Sequence, residues 1–397
     1  MNISELKFAH RFDNVSGSAI REIFKVINVP GMISFAGGNP SPASLPDQEC
    51  AVLAKELLLE KGKTLLQYGA TEGYAPLKES LPDYIKDRFG FEVTSSGVLP
   101  TTGSTQGMDL LCKALIDPGD KIVIENPTFL GNMQCMHLYD AQLIPAPGDE
   151  IGVDTDALEE VFRKEHPKMM YVIPTFQNPT GRTLPVERRK KIAELAAQYG
   201  VIIAEDDPYR DLRYMGKELP SIRSFDKEGW VVFLGSFSKV ISPGLRVGFL
   251  CAPPDLLRKC TIGKQSSDVH TSLLSQAIVD AYLRRGLLMP HVKEICESYS
   301  QQCSAMLSLL ESCAGVKSFT RPEGGLFIWA ELREDLNAVE LLKEAIDSLV
   351  AYVPGTHFFE GGGHLNTLRL NFSMSPVDSI RIGMEKLNHV FSKACNK

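Results

Sequence analysis

The run Trp230-Val231-Val232-Phe233-Leu234-Gly235-Ser236-Phe237-Ser238-Lys239, continued by Val240-Ile241-Ser242-Pro243-Gly244-Leu245-Arg246-Val247-Gly248, sets the reading of the whole 397-residue chain. Its apolar part, 230–234, predicts a strand buried on both faces. Small residues turn the chain at 235–238, and Lys239 follows at once, with Arg246 after Pro243-Gly244. A lysine at the end of a buried strand is a poor choice for stability, because its ammonium is costly to desolvate. The same desolvation lowers its pKa and makes the amine a nucleophile towards carbonyls. The hydroxyls of Ser236 and Ser238 and the guanidinium of Arg246 suit a phosphate.

Working outward, strand-like runs recur at 121–125, 142–145, 169–173, 201–205 and 248–252. Helical patterns near 47–60, 74–89, 105–116, 154–165 and 185–199 alternate with them. Buried apolar strands between amphipathic helices predict an α/β fold with a mostly parallel sheet and helices on both faces. The pattern changes near 284. A long helical stretch at 288–312 leads into short strands at 316–319, 324–329 and 368–372, with helices near 337–348 and 376–393. This predicts a smaller α/β domain with an antiparallel sheet. The expected organisation is an N-terminal arm at 1–45 packing with the small domain, a large domain at 46–283 and a C-terminal domain at 284–397. Within the arm, Ile20, Ile23, Phe24 and Ile27 follow a helical period. A short strand at 32–35 then runs into the Gly37-Gly38-Asn39-Pro40 loop, which is either a plain turn or a close backbone approach to a ligand.

Composition narrows the class. The chain is 44% hydrophobic and 23% charged, as soluble globular proteins are. A net charge of −7 argues against a nucleic-acid binder. No run of 18 apolar residues is present, and the first residues lack a leader pattern. Nine cysteines are scattered without a C-x-x-C pair, which predicts reduced thiols in a cytoplasmic protein. The eight histidines have no metal-ligand spacing, so no metal is expected.

The ends of the predicted strands hold the remaining chemistry. Thr101-Thr102-Gly103-Ser104-Thr105-Gln106-Gly107 joins a strand to a helix. It reads either as an anion site on the helix N-terminus or as a plain N-cap by Ser104 or Thr105. Phe129 is a core residue or a stacking platform. Asn178, in Asn178-Pro179-Thr180-Gly181, is a turn initiator or a ligand contact. The run at 201–205 ends in Glu205-Asp206-Asp207, either a solvated loop or a carboxylate set against a protonated pyridine nitrogen. Tyr209 lies within reach of the same ring. Together with Lys239, these parts suit a pyridoxal phosphate held as a Schiff base.

In this order, Gly-Ser-Thr-Gln-Gly, Asn-Pro-Thr-Gly, Asp-x-x-Tyr and Ser-x-Ser-Lys with Pro-Gly-Leu-Arg-x-Gly resemble the fold-type I, class I/II pyridoxal-phosphate aminotransferases. The 2-aminoadipate, kynurenine and broad aromatic subgroup is the most similar. The resemblance runs from Ser18 to Arg369 and implies a seven-stranded type of central sheet. It implies that Lys239 forms the internal aldimine and acts as general base, that Asp206 pairs with the pyridine nitrogen, and that Tyr209 and Asn178 hydrogen-bond the ring O3′. Phe129 stacks on the ring, and Ser104, Thr105, Ser236, Ser238 and Arg246 hold the phosphate. Arg369 takes the substrate α-carboxylate, with Asn178 beside it. Gly38 covers the substrate, and Ser18 and Arg21 face it from an N-terminal helix. Tyr68 reaches the phosphate of a neighbouring subunit, which implies a homodimer. The implied reaction is ping-pong transfer between an L-amino acid and a 2-oxo acid such as 2-oxoglutarate. Rivals are a β-lyase or decarboxylase on the same scaffold, and an aminotransferase-like transcription regulator, for which the chain has no room for a DNA-binding module.

Overall fold

The apolar runs become strands. In the computed structural model, which describes residues 6–13 and 29–396, seven strands form one sheet. They are β1 (Val98–Thr101), β2 (Lys121–Ile124), β3 (Gln142–Pro145), β4 (Met169–Val172), β5 (Ile202–Asp206), β6 (Val231–Ser236) and β7 (Gly248–Cys251). Their order is β1-β7-β6-β5-β4-β2-β3, and only β7 runs against its neighbours. Successive residues of a strand face opposite sides, so the sheet feeds two cores. Ile122, Ile124, Met169 and Tyr171 belong to one, and Val123, Met170, Val172 and Ile203 to the other. The second core is closed by Leu158 and Phe162 of one helix and Ile192 and Leu195 of the next. Burial on both faces is why these strands read as continuous apolar runs.

Eleven helices of the described residues surround the sheets: α1 (Asp47–Leu65), α2 (Ala75–Phe89), α3 (Ser104–Leu115), α4 (Leu130–His137), α5 (Thr155–Glu165), α6 (Val186–Tyr199), α7 (Pro254–Ser267), α8 (Leu273–Arg284), α9 (Leu288–Leu310), α10 (Ala338–Asp347) and α11 (Val377–Cys395). Three of these, α4, α7 and α8, escape the periodicity reading. In α7 the core-facing positions are Leu257, Cys260 and Lys264, and a lysine in the third breaks the apolar stripe.

A second sheet has the order β8-β9-β11-β10 and is antiparallel throughout, with β8 (Val316–Phe319), β9 (Phe327–Leu332), β10 (Val353–Pro354) and β11 (Thr367–Asn371). The N-terminal segment Ile33–Ser34 pairs in parallel with Val350–Ala351. Phe35 extends the link, its N–H donating to the Ala351 carbonyl and its carbonyl accepting from Asn371 N–H. This ties Ala36 to Asn39 against the edge of β11. One apolar cluster runs from Leu250 of the large sheet to Phe391 of α11, so the two sheets share a continuous core. The helical pattern at Ile20 to Ile27, with Ser18 and Arg21, lies outside the described residues.

Candidate active site

The C-terminal ends of β1, β4, β5 and β6 open on one side of the sheet, where α/β folds place ligands. A cavity of about 320 Å³ lies there. Gly38, Ser104, Thr105, Phe129, Asn178, Asp206, Tyr209, Ser236, Ser238, Lys239, Arg246 and Arg369 all line it. Residues spread over more than 330 positions of sequence are therefore brought to one wall. Tyr68 is not among them: it is 81% exposed and lies edge-on to His270, with ring centroids 6.1 Å apart.

Lys239 follows β6 by three residues. The turn between them is held by Ser236 Oγ, which donates to Ser238 Oγ at 3.0 Å and accepts from the Ser238 N–H at 3.2 Å. Lys239 Nζ donates to the Gly38 carbonyl at 2.8 Å. Burial pulls its pKa down to about 8, and the positive charges of Arg369 and Arg246 pull the same way against Asp206.

Asp206 ends β5 and is 3% exposed. Its Oδ2 accepts from the Tyr171 hydroxyl at 2.9 Å and from Asn132 Nδ2 at 3.3 Å. Its Oδ1 is buried with no hydrogen-bond partner among the described residues. Burial pushes the carboxyl up to about 7, while the hydrogen bonds from Tyr171 and Asn132 act in the other direction. The solvated-loop alternative for the three carboxylates fails, since all are buried. Strand alternation sends them apart. Glu205 accepts the Ile222 and Arg223 N–H groups, each at 2.8 Å, and Asp207 accepts from Thr175 Oγ1 at 3.1 Å and Arg210 Nη1 at 3.3 Å. Asp206 alone of the three lines the cavity.

Arg369, on β11, is 2% exposed. Nη1 donates to Asn178 Oδ1 at 2.8 Å and Nη2 to the Ala36 carbonyl at 2.7 Å, while Nε has no partner among the described residues. Phe327 and Phe358 hold the guanidinium at 4.3 and 5.0 Å from their centroids. Asn178 also donates to the Tyr209 hydroxyl at 3.3 Å, so one amide joins the guanidinium to the phenol. Burial lowers the Arg369 pKa to about 10. A buried guanidinium without a carboxylate partner is costly, and a bidentate carboxylate would remove that cost.

At the other end of the cavity, Gly103 has φ +83° and precedes α3, whose first turn receives no side-chain cap. The plain N-cap alternative for Ser104 and Thr105 therefore falls; the Gln106 N–H already donates to the Gly103 carbonyl at 3.2 Å, and the Ser104 and Thr105 N–H groups are the ones that can meet an anion. Arg246 stands beside them, with Nη2 donating to the Thr102 carbonyl at 2.9 Å. Phe129 is half-buried, packs partly against the core and presents the rest of its ring to the cavity. Sequence reading missed Tyr171 and Asn132, which hold Asp206, and Phe327 and Phe358, which hold Arg369. Tyr171 sits inside Met169-Met170-Tyr171-Val172 and looks like any core position.

These parts fit a flat, cationic, phosphorylated aldehyde. The orphaned Asp206 oxygen suits a protonated ring nitrogen, the bare α3 terminus with Arg246 suits a phosphate, and Lys239 is a primary amine of depressed pKa. No group of three or more His, Cys, Asp and Glu residues able to hold a metal occurs among the described residues. None of the described helices is long and apolar enough to cross a membrane.

Comparison with known proteins gives the same picture. Residues 30–386 match the family model of aminotransferases of class I and II. The chain is 39% identical to aromatic-amino-acid aminotransferase 1 of Thermococcus litoralis, covering 99% of this chain and 96% of that protein. It is 40% identical to the 2-aminoadipate transaminase of Thermus thermophilus over 94% and 93% of the two chains. The crystal structure of an α-aminoadipate aminotransferase from Thermus thermophilus, complexed with N-(5'-phosphopyridoxyl)-L-leucine, superposes with a TM-score of 0.91 at 38% identity and 98% coverage of both chains. A buried lysine, an unpaired aspartate oxygen and an uncapped helix terminus thus meet in a chain that belongs to the class I and II aminotransferases, enzymes whose cofactor is pyridoxal phosphate.

Proposed function

We propose that this aminotransferase moves the amino group of an L-amino acid of the aromatic or 2-aminoadipate kind to 2-oxoglutarate, in a ping-pong sequence centred on Lys239. The observation that carries the reading is Arg369. It is a buried guanidinium with a free Nε, held at the cavity that also contains Lys239 and Asp206. An α-amino acid and a 2-oxo acid share a carboxylate next to the reacting carbon, and one arginine serves both half-reactions. The named substrates of the two relatives support the donor class.

Pyridoxal phosphate, when bound, supplies the electron sink for the pair left as a proton departs from the substrate Cα. The protein does the rest. Lys239 holds the cofactor, takes the Cα proton once its amine is free, and returns a proton at C4′; a pKa near 8 leaves about a tenth of that amine unprotonated at pH 7, against less than about a thousandth for an ordinary lysine. Asp206 holds the ring nitrogen protonated through Oδ1, and Tyr171 and Asn132 keep its other oxygen fixed. Tyr209 and Asn178 serve O3′, and Phe129 stacks. Ser104, Thr105, Ser236, Ser238 and Arg246 take the phosphate. Arg369 and Asn178 orient the α-carboxylate, and Gly38, already on Lys239, closes over it. Tyr68, projecting away from its own cavity, completes the site of a second copy in a homodimer.

The test is a panel of amino donors with 2-oxoglutarate as acceptor, followed by glutamate formation and by the cofactor's absorbance. Aromatic donors or 2-aminoadipate should turn over fastest, with parallel double-reciprocal plots. Pyruvate and ammonia from a cysteine-type donor, without glutamate, would instead assign a β-lyase, and loss of carbon dioxide a decarboxylase.

A further inference from the structure

Lys264 is fully buried on α7, far from Lys239 in sequence and absent from the cavity wall. Its ammonium donates to Gln106 Oε1 at 2.7 Å, to Thr271 Oγ1 at 2.9 Å and to the two Asp268 oxygens at 2.9 and 3.0 Å. An apolar side chain would fill this helix-packing position at less cost, since a buried ion pair rarely adds net stability. What the cluster holds is the turn before α3. The Thr102 N–H donates to Gln106 Oε1 at 2.8 Å. Its hydroxyl donates to Asp268 Oδ2 at 2.8 Å and lies 3.0 Å from Thr271 Oγ1. Gln106 Nε2 donates to the same Asp268 oxygen at 2.7 Å. The Thr102 carbonyl takes Arg246 Nη2. Every polar group of Thr102 is therefore fixed, two of the three by residues bound to Lys264. Gly103 follows directly, and its conformation aims the first N–H groups of α3.

We propose that Lys264 is a positioning residue for the phosphate-binding turn. Together with Gln106, Asp268 and Thr271 it locks Thr102 and Gly103, so that the α3 terminus and Arg246 converge on one anion. The ammonium and the Asp268 carboxylate offset each other in charge, so the action is geometric. This rests on the placing of the cofactor phosphate at α3.

Pyridoxal, which has the ring and aldehyde but no phosphate, separates the two questions. Apoprotein is titrated with pyridoxal phosphate and with pyridoxal, read by the absorbance of the lysine-bound chromophore. Two variants are used: Lys264→Met, which removes the ammonium, and Gln106→Met, which removes the amide that joins Thr102 to Lys264 and Asp268 but leaves the direct Lys264–Asp268 pair in place. Each should weaken pyridoxal phosphate by about tenfold or more and leave pyridoxal within about twofold, the loss expected when charge-assisted hydrogen bonds are cut. If Lys264→Met does not fold, Gln106→Met decides. Unchanged affinity for pyridoxal phosphate, or an equal loss of both ligands, overturns the positioning role. A wild-type apoprotein that binds pyridoxal as tightly as pyridoxal phosphate overturns the phosphate placement itself.

Discussion

Burial disfavours the charged forms of both Lys239 and Asp206, and each is relieved by the group the cavity fits. The lysine is drawn down to about 8 and the aspartate up to about 7. Only the unprotonated amine attacks an aldehyde, so capture of pyridoxal phosphate by the apoprotein should speed up as pH rises through about 8. An ordinary lysine would show that rise near about 10.4. Stopped-flow absorbance against pH checks this, and a midpoint near that of a free lysine would refute the assigned environment. The linked stability has a definite sign. Between about 8 and about 10 the unfolded lysine still binds the proton that the folded amine has lost, so Lys239 makes the apoprotein more stable as pH rises across that window.

The elements place these side chains by close backbone approach. A Cβ added to Gly248 on β7 would sit 2.7 Å from the Gly235 carbonyl oxygen and 2.9 Å from the Gly103 carbonyl carbon. Both obstacles are backbone, on β6 and on the turn into α3, and neither can rotate aside. Gly248→Ala should therefore push the α3 terminus off the sheet, costing about 1–3 kcal/mol or more of stability. It should also release the cofactor more than its stability loss alone explains. Urea midpoints of the apoprotein, compared with cofactor retention on gel filtration, test this; a stable variant that keeps its cofactor would show that α3 tolerates the shift.

At the scale of the whole molecule, one feature of the chain points outward. Tyr68 is exposed together with Leu59, Leu66, Ile262 and Val269, all large apolar side chains on the solvent surface. In the proposed homodimer, a site draws Lys239 from one subunit and Tyr68 from the other. Lys239→Ala and Tyr68→Ala should each be inactive or nearly so. Mixing them under reversible dissociation should recover roughly a quarter of wild-type activity, because half of the dimers then carry one intact site. No recovery, with mixed dimers demonstrated by mass, would remove Tyr68 from the shared site.

The sequence by itself determined the α/β architecture, because strands buried on two faces must be apolar throughout and helices between them must be amphipathic. It also determined most of the cavity wall, because chemistry concentrates at strand ends, where Asp206 and Lys239 break the apolar pattern abruptly. The apolar pattern alone left Glu205, Asp206 and Asp207 level; the Asp-x-x-Tyr resemblance pointed to Asp206, and strand direction and register are the physical reason it is the one that enters the cavity. Tertiary structure alone showed that Tyr171, Asn132, Phe327 and Phe358 hold the ionic residues in place, for an aromatic or an amide inside a packed run carries no local sign of its partner. Lys264 shows the limit most clearly. In sequence it obscured a helix, and only the packing of α7 on α3 shows that the ammonium which broke the apolar period is tied, through Gln106 and Asp268, to the turn before the uncapped α3 terminus.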